Sequence, residues 1–74
     1  MKLYELNINQ KAIIDYIDTS DFSAKRLIEI GFSKGSEVKK VISSISKSLN
    51  AYKVKNTVVV LRNSTAENIK VSII

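Results

Sequence analysis

Few residues in this chain are of a type that does chemistry. There is no Cys and no His. That removes disulfides, thiolate metal sites and thiol nucleophiles, along with the usual triad base and the commonest metal ligand. Asp15, Asp18 and Asp21 recur at intervals of three, and carboxylates suit hard cations such as Mg²⁺ or Ca²⁺. The central Gly and closing Glu of an EF-hand are absent, however. On a strand, Asp15 and Asp18 point to opposite faces, and Asp21 is a natural helix N-cap. Structural roles account for all three.

The segment Gly31-Phe32-Ser33-Lys34-Gly35-Ser36 has the residue types of a phosphate loop but not its spacing. A P-loop places four residues between its glycines, then Lys and Ser/Thr, between a strand and a helix. Here three residues separate the glycines, no Lys follows Gly35, and the order reads helix then strand. The glycines are read as backbone devices. Ser44-Ile45-Ser46-Lys47 has Ser-x-x-Lys spacing at the end of a Ser/Lys-rich strand, with no pocket context to activate the serine. The chain therefore reads as a non-enzyme, with no catalytic residue, no cofactor and no metal ligands.

The net charge of +5 is unevenly placed. Between Lys34 and Lys55 stand Lys34, Lys39, Lys40, Lys47, Lys53 and Lys55 against the single acid Glu37. The rest of the chain is neutral in sum. One surface should be positive and attract an anionic partner, although lysines also protect strand edges from aggregation. At 74 residues with 45% apolar content, a single domain, 1–74, is expected, built on a small and densely used core. No apolar run reaches a membrane span, and Met1-Lys2-Leu3-Tyr4-Glu5 lacks the apolar stretch of a signal peptide. The expected location is cytoplasmic.

The elements that must position these residues follow from pattern. Eleven Ile and seven Val favour strands. Gln10 to Asp18 reads as a first strand with apolar groups on both faces, hence central or bulged. Thr19-Ser20-Asp21 offers helix caps for Phe22 to Ile30, with Ala24, Leu27 and Ile28 on one face and Gly31 at the C-terminal cap. Ser36 to Ile45 and Leu49 to Lys55 read as strands, and Asn56 suits a tight hairpin. Thr57 to Arg62 is a continuous apolar run, the best candidate for a fully buried strand. Ser64-Thr65-Ala66-Glu67 has a capping-box pattern for one helical turn, and Ile69 to Ile74 alternates as a fifth strand. Five short strands in so few residues predict a small, partly open barrel. The expected core is Ile14, Ile17, Leu27, Val38, Val54, Val59, Leu61 and Val71.

The run from Lys25 to Val38, with Arg26-Leu27, Gly31-Phe32 and Gly35-Ser36 at its fixed points, resembles the signature of FeoA, the ferrous iron transport protein A family. The resemblance continues through Ala51-Tyr52-Lys53-Val54 and Val58 to Arg62, and ends at Ala66-Glu67-Asn68-Ile69-Lys70-Val71. It implies a mainly β, five-stranded SH3-like barrel with one inserted helix and a one-turn helix before the last strand. It also implies a non-catalytic cytoplasmic partner of the FeoB ferrous iron transporter, supporting or regulating Fe²⁺ uptake by contact with that protein's cytosolic GTP-binding or membrane-proximal region. Such a partner would work at the inner face of the membrane as a monomer or weak oligomer. The alternative is a nucleic-acid-associated or metal-responsive SH3-like accessory module. No specific nucleic acid is expected, because the basic window carries only Tyr52 as a stacking ring.

The chain departs from the family pattern in four places, one of them the connection after the second strand, where Ile45-Ser46-Lys47-Ser48-Leu49 replaces the family's Pro-x-Gly-Asp-Pro-like loop. Asn9 stands where Gly is usual, and Lys34 replaces a common Pro. Lys40 falls where an inward apolar residue is common, so it must snorkel or sit at a bulge. The expected partner-binding residues are Lys25 and Arg26 on the exposed side of the helix, Lys47 and Leu49 in the connection after the second strand, and Tyr52. The ring of Tyr52 is also a candidate for core or edge packing.

Overall fold

In a computed structural model the backbone is described for residues 1–20, 22–46 and 48–74, with side chains throughout except at 22–24 and 44–46. Five antiparallel strands form one sheet: β1 (Lys11–Ile17), β2 (Glu37–Ser46), β3 (Leu49–Val54), β4 (Thr57–Arg62) and β5 (Ile69–Ile73). Their order across the sheet is β4-β3-β2-β1-β5. Helix α1 (Phe22–Ile30) is inserted between β1 and β2, and the single turn α2 (Asn63–Ala66) precedes β5. The expected elements are all present within a residue or two of their predicted ends.

The sheet curls without closing, since β4 and β5 are its two ends. The N-terminus covers one end: Lys2 bridges to Lys70, and the Val71 amide donates to the Met1 carbonyl at 2.8 Å. A 3-10 turn, Leu3–Glu5, follows and plants Leu3 and Leu6 in the core, both almost fully buried. The pattern reading passed over this segment because it has no periodicity; its two leucines act as a plug rather than as part of an element. The other end of the sheet, β4, is open.

Strand β1 is both central and bulged. It lies between β2 and β5, and its register with β5 shifts between Ile14 and Tyr16. The extra residue reverses the alternation, so Ile14 points inward while Tyr16 turns outward and is 55% exposed. Strand β2 bulges between Lys40 and Ile42. Left-handed backbone appears where short polar residues tolerate it: Asn9 has φ 67° and Asn56 φ 65°. Gly31, at φ 129°, ends α1 in a Schellman arrangement. Its amide reaches the Ile28 carbonyl at 3.2 Å, and the Phe32 amide reaches that of Leu27 at 2.9 Å.

The core contains Ile14, Leu27, Val38, Val54, Leu61 and Val71 as expected, with Ile17 and Val59 packed partly buried against it. Leu3, Leu6, Ala12, Phe32, Tyr52, Ala66 and Ile69 complete it. Strand β4 is not the fully buried strand that its apolar run suggested. It is a sheet end, with Val58 57% and Val60 51% exposed, and only Leu61 reaches the interior fully. Nor does Ile28 share the buried face of α1 with Leu27; it is exposed, and the side chain of Ala24 lies outside the described residues.

Candidate functional site

Among the described residues, no group of three or more Asp, Glu, His or Cys side chains is placed to hold a metal ion. Two of the three recurring aspartates accept hydrogen bonds, one across the sheet and one local. The Asp15 carboxylate accepts from the Ser72 hydroxyl. The Asp18 carboxylate accepts from the Ser20 amide at 3.0 Å, and this bond to the Ser20 backbone holds its pKa below the ordinary carboxylate value. Asp21 lies outside the described residues. The Gly31–Ser36 connection is built for its backbone: the Gly35 amide donates to the Ile14 carbonyl at 2.7 Å, and Gly35 itself has φ 90°.

Lys40 is the unusual cation. Its residue is 5% exposed, and its ammonium donates to the Tyr4 carbonyl at 2.8 Å. The side chain therefore runs under the core and surfaces at the 3-10 turn, beside a bulge. Burial lowers its pKa, as expected for a cation leaving water.

Lys25 and Arg26 are exposed on α1. Arg26 lines a cleft of about 440 Å³ with Leu27, Val60, Leu61, Arg62 and Thr65. The cleft thus runs between the exposed side of the helix and the open end strand β4. Leu49, half-buried, stands directly opposite Arg62 in the β3–β4 ladder, so three elements meet here: Arg26 from α1, Arg62 from β4 and Leu49 from β3. Lys47 lies outside the described residues. The two arginines set positive charge beside the apolar side chains of Val60 and Leu49.

Tyr52 does not belong to this surface. It has no exposed area, stands opposite Lys40 on β2 and Val59 on β4, and is a core residue. As an inward position of a central strand it has no route to a partner. Burial pushes its phenol up to about 12, a shift that the neighbouring Asn50 side chain opposes, although the hydroxyl makes no hydrogen bond of normal geometry. The sequence reading also missed Arg62 and Val60. The signal was available: with Leu61 inward, strict alternation along β4 turns Val60 and Arg62 outward.

The geometry defines a small SH3-like domain with an inserted helix and a basic, partly apolar surface cleft. The FeoA domain family matches residues 1–73. A Campylobacter jejuni protein named for Fe(2+) transport, as protein A, is 34% identical over 74 residues, covering 100% of both chains. The crystal structure of Stenotrophomonas maltophilia FeoA, complexed with zinc and described as a procaryotic SH3 domain protein, is 32% identical with a TM-score of 0.85, covering 97% of this chain and 89% of that one. A manganese-dependent transcriptional repressor shares the fold alone: 16% identity and a TM-score of 0.88, over 100% of this chain and 36% of the repressor. The chain belongs to the FeoA family, which is implicated in ferrous iron transport as an accessory and is not a known enzyme family. No helix among the described residues is long and apolar enough to cross a membrane.

Proposed function

We propose that this protein acts by contact, as a non-catalytic cytoplasmic partner of an FeoB-type ferrous iron transporter, and that the contact is made by the cleft between α1 and β4. Family membership supplies the transport context. The observation that carries the docking reading is the meeting of Arg26, Arg62, Val60 and Leu49 at one end of the sheet. Exposed cations around an apolar ledge suit a regulatory contact in which charge steers encounter and the apolar side chains supply affinity. The open end strand adds unpaired backbone groups of the kind that a partner's strand or loop can use. Lys25 flanks the cleft from the helix, and Lys47 belongs to the connection that leads into Leu49.

The test is a binding measurement between this protein and the cytosolic region of an FeoB-type transporter from the same organism, at low and high salt. Arg26→Glu and Lys47→Glu weaken binding chiefly at low salt, because exposed charges are screened beyond about 8 Å at physiological ionic strength. Leu49→Ala weakens it at both. Unchanged binding by all three folded variants contradicts the proposed face.

A further inference from the structure

A second charged feature lies on the sheet, away from the α1–β4 cleft. Lys11 on β1 stands opposite Lys39 on β2, and Lys39 stands opposite Lys53 on β3. Directly opposed residues share a face, so three lysines form one row across three neighbouring strands. Like charges in that relation disfavour the sheet, and the only ion pair among the described residues, Lys11 to Glu37 at 3.8 Å, relieves just one end. The β3–β4 turn adds a fourth cation. Lys55 lines the same groove and holds φ 47°, a left-handed conformation that Asn or Gly adopts more readily. Repulsion and backbone strain are thus both tolerated at one place, a pattern associated with function more than with stability. The groove has a volume of about 370 Å³.

We infer that this lysine row is a binding site for an extended acidic peptide segment of a partner protein, with carboxylates at alternate positions. Three features select that ligand. Strands about 4.8 Å apart make the row roughly 10 Å long, and alternate side chains of an extended peptide repeat every ~7 Å, so two carboxylates at i and i+2 both fall within its length. No aromatic ring lines the groove, so it offers no platform for a stacked base. The Glu37 carboxylate inside the groove opposes a uniformly charged phosphate backbone but can accept from a peptide amide. Val58, opposite Lys53 and exposed, gives the peptide an apolar ledge at the end of the row. The inference stands apart from the transporter reading, since it concerns a different surface and any partner that presents such a segment.

The test uses the full chain and a fluorescein-labelled hexapeptide of alternating Glu and Ser, followed by anisotropy at low and high salt. Wild type binds and weakens with salt. Lys39→Gln and Lys53→Gln each weaken binding about two- to fivefold, the range open to an exposed charge pair, whereas Lys70→Gln, exposed on β5 outside both clefts, leaves it unchanged. Thermal melts keep the comparison clean: Lys53→Gln melts no lower than wild type, because it removes a like-charge neighbour. The inference is overturned by any of three results: no binding of wild type at low salt, equal losses in Lys70→Gln and the row variants, or tighter binding of a DNA duplex or anionic vesicles through the same lysines.

Discussion

Lys40 and Tyr52 face one another across β2 and β3, both directed into the core and each ending in a polar group that burial penalises in its charged form. The ammonium finds the Tyr4 carbonyl at 2.8 Å, tying the middle of the sheet to the N-terminal turn that covers its β5 side. Replacing Lys40 by Ala removes this tie and the buried stem together, and should lower stability by about 2–3 kcal/mol. Lys40→Met keeps the volume and sheds the buried charge, so it should stay within about 1 kcal/mol of wild type. Denaturant unfolding distinguishes the two; equal losses would mean that the hydrogen bond, and not the packed stem, carries the stability.

The same pair predicts the alkaline behaviour. Tyr52 is raised from 10.0 to about 12, so the unfolded chain loses this proton first. Its contribution is complete below pH 10 and falls away as pH rises toward 12, an effect on the order of 2–3 kcal/mol. Lys40 is lowered from 10.5, so the cost of burying its charge is relieved as pH rises toward that value. Stability should hold or rise slightly up to pH 10 and then fall. Tyr52→Phe should abolish the fall and match or exceed wild type at neutral pH, since it deletes a buried hydroxyl with no good partner. A fall that persists in Tyr52→Phe would contradict the assignment.

Asn9, at φ 67°, carries a backbone state that Gly adopts freely. Asn9→Gly should be neutral to slightly stabilising, whereas Asn9→Ala should cost about 1 kcal/mol. Melting temperatures of the two variants check this; indistinguishable values would remove the strain argument at this turn.

Strand β4 offers a contrast between adjacent valines and the core. Val58→Ser, at an exposed position of the sheet end, should change stability by less than about 0.5 kcal/mol. Val38→Ala, in a fully buried position, should cost about 2 kcal/mol or more. A large loss from Val58→Ser would mean that β4 is covered in solution.

Much of this architecture was legible because short strands and caps leave local marks. Phe22–Ile30 and Thr57–Arg62 were bounded by Asp21, Gly31 and Asn56, residues whose backbone preferences are intrinsic. Burial was harder to read. The run from Val58 to Leu61 is equally apolar at every position, so only the place of β4 at the end of the sheet decides that Val58 and Val60 face water. Tyr16 depends on where the bulge in β1 falls, between Ile14 and Tyr16, a place that the two-faced apolar pattern does not specify. The docking residues were partly legible: Lys25 and Arg26 follow from the buried Leu27, but Arg62 lines the same cleft as Arg26 only once the fold brings β4 beside the helix. Tyr52, expected as a partner contact but also as a candidate for core or edge packing, takes the packing role, because its register between Lys40 and Val59 sends it inward.

The central claim, docking through the α1–β4 cleft, is tested most directly by amide chemical-shift mapping of the labelled protein titrated with the transporter's cytosolic region. The account predicts shifts concentrated at Lys25, Arg26, Leu49, Val60 and Arg62, reduced at high salt and lost in Arg26→Glu. Shifts gathered instead around Tyr16 and Ile28, or no shifts at saturating transporter, would contradict it.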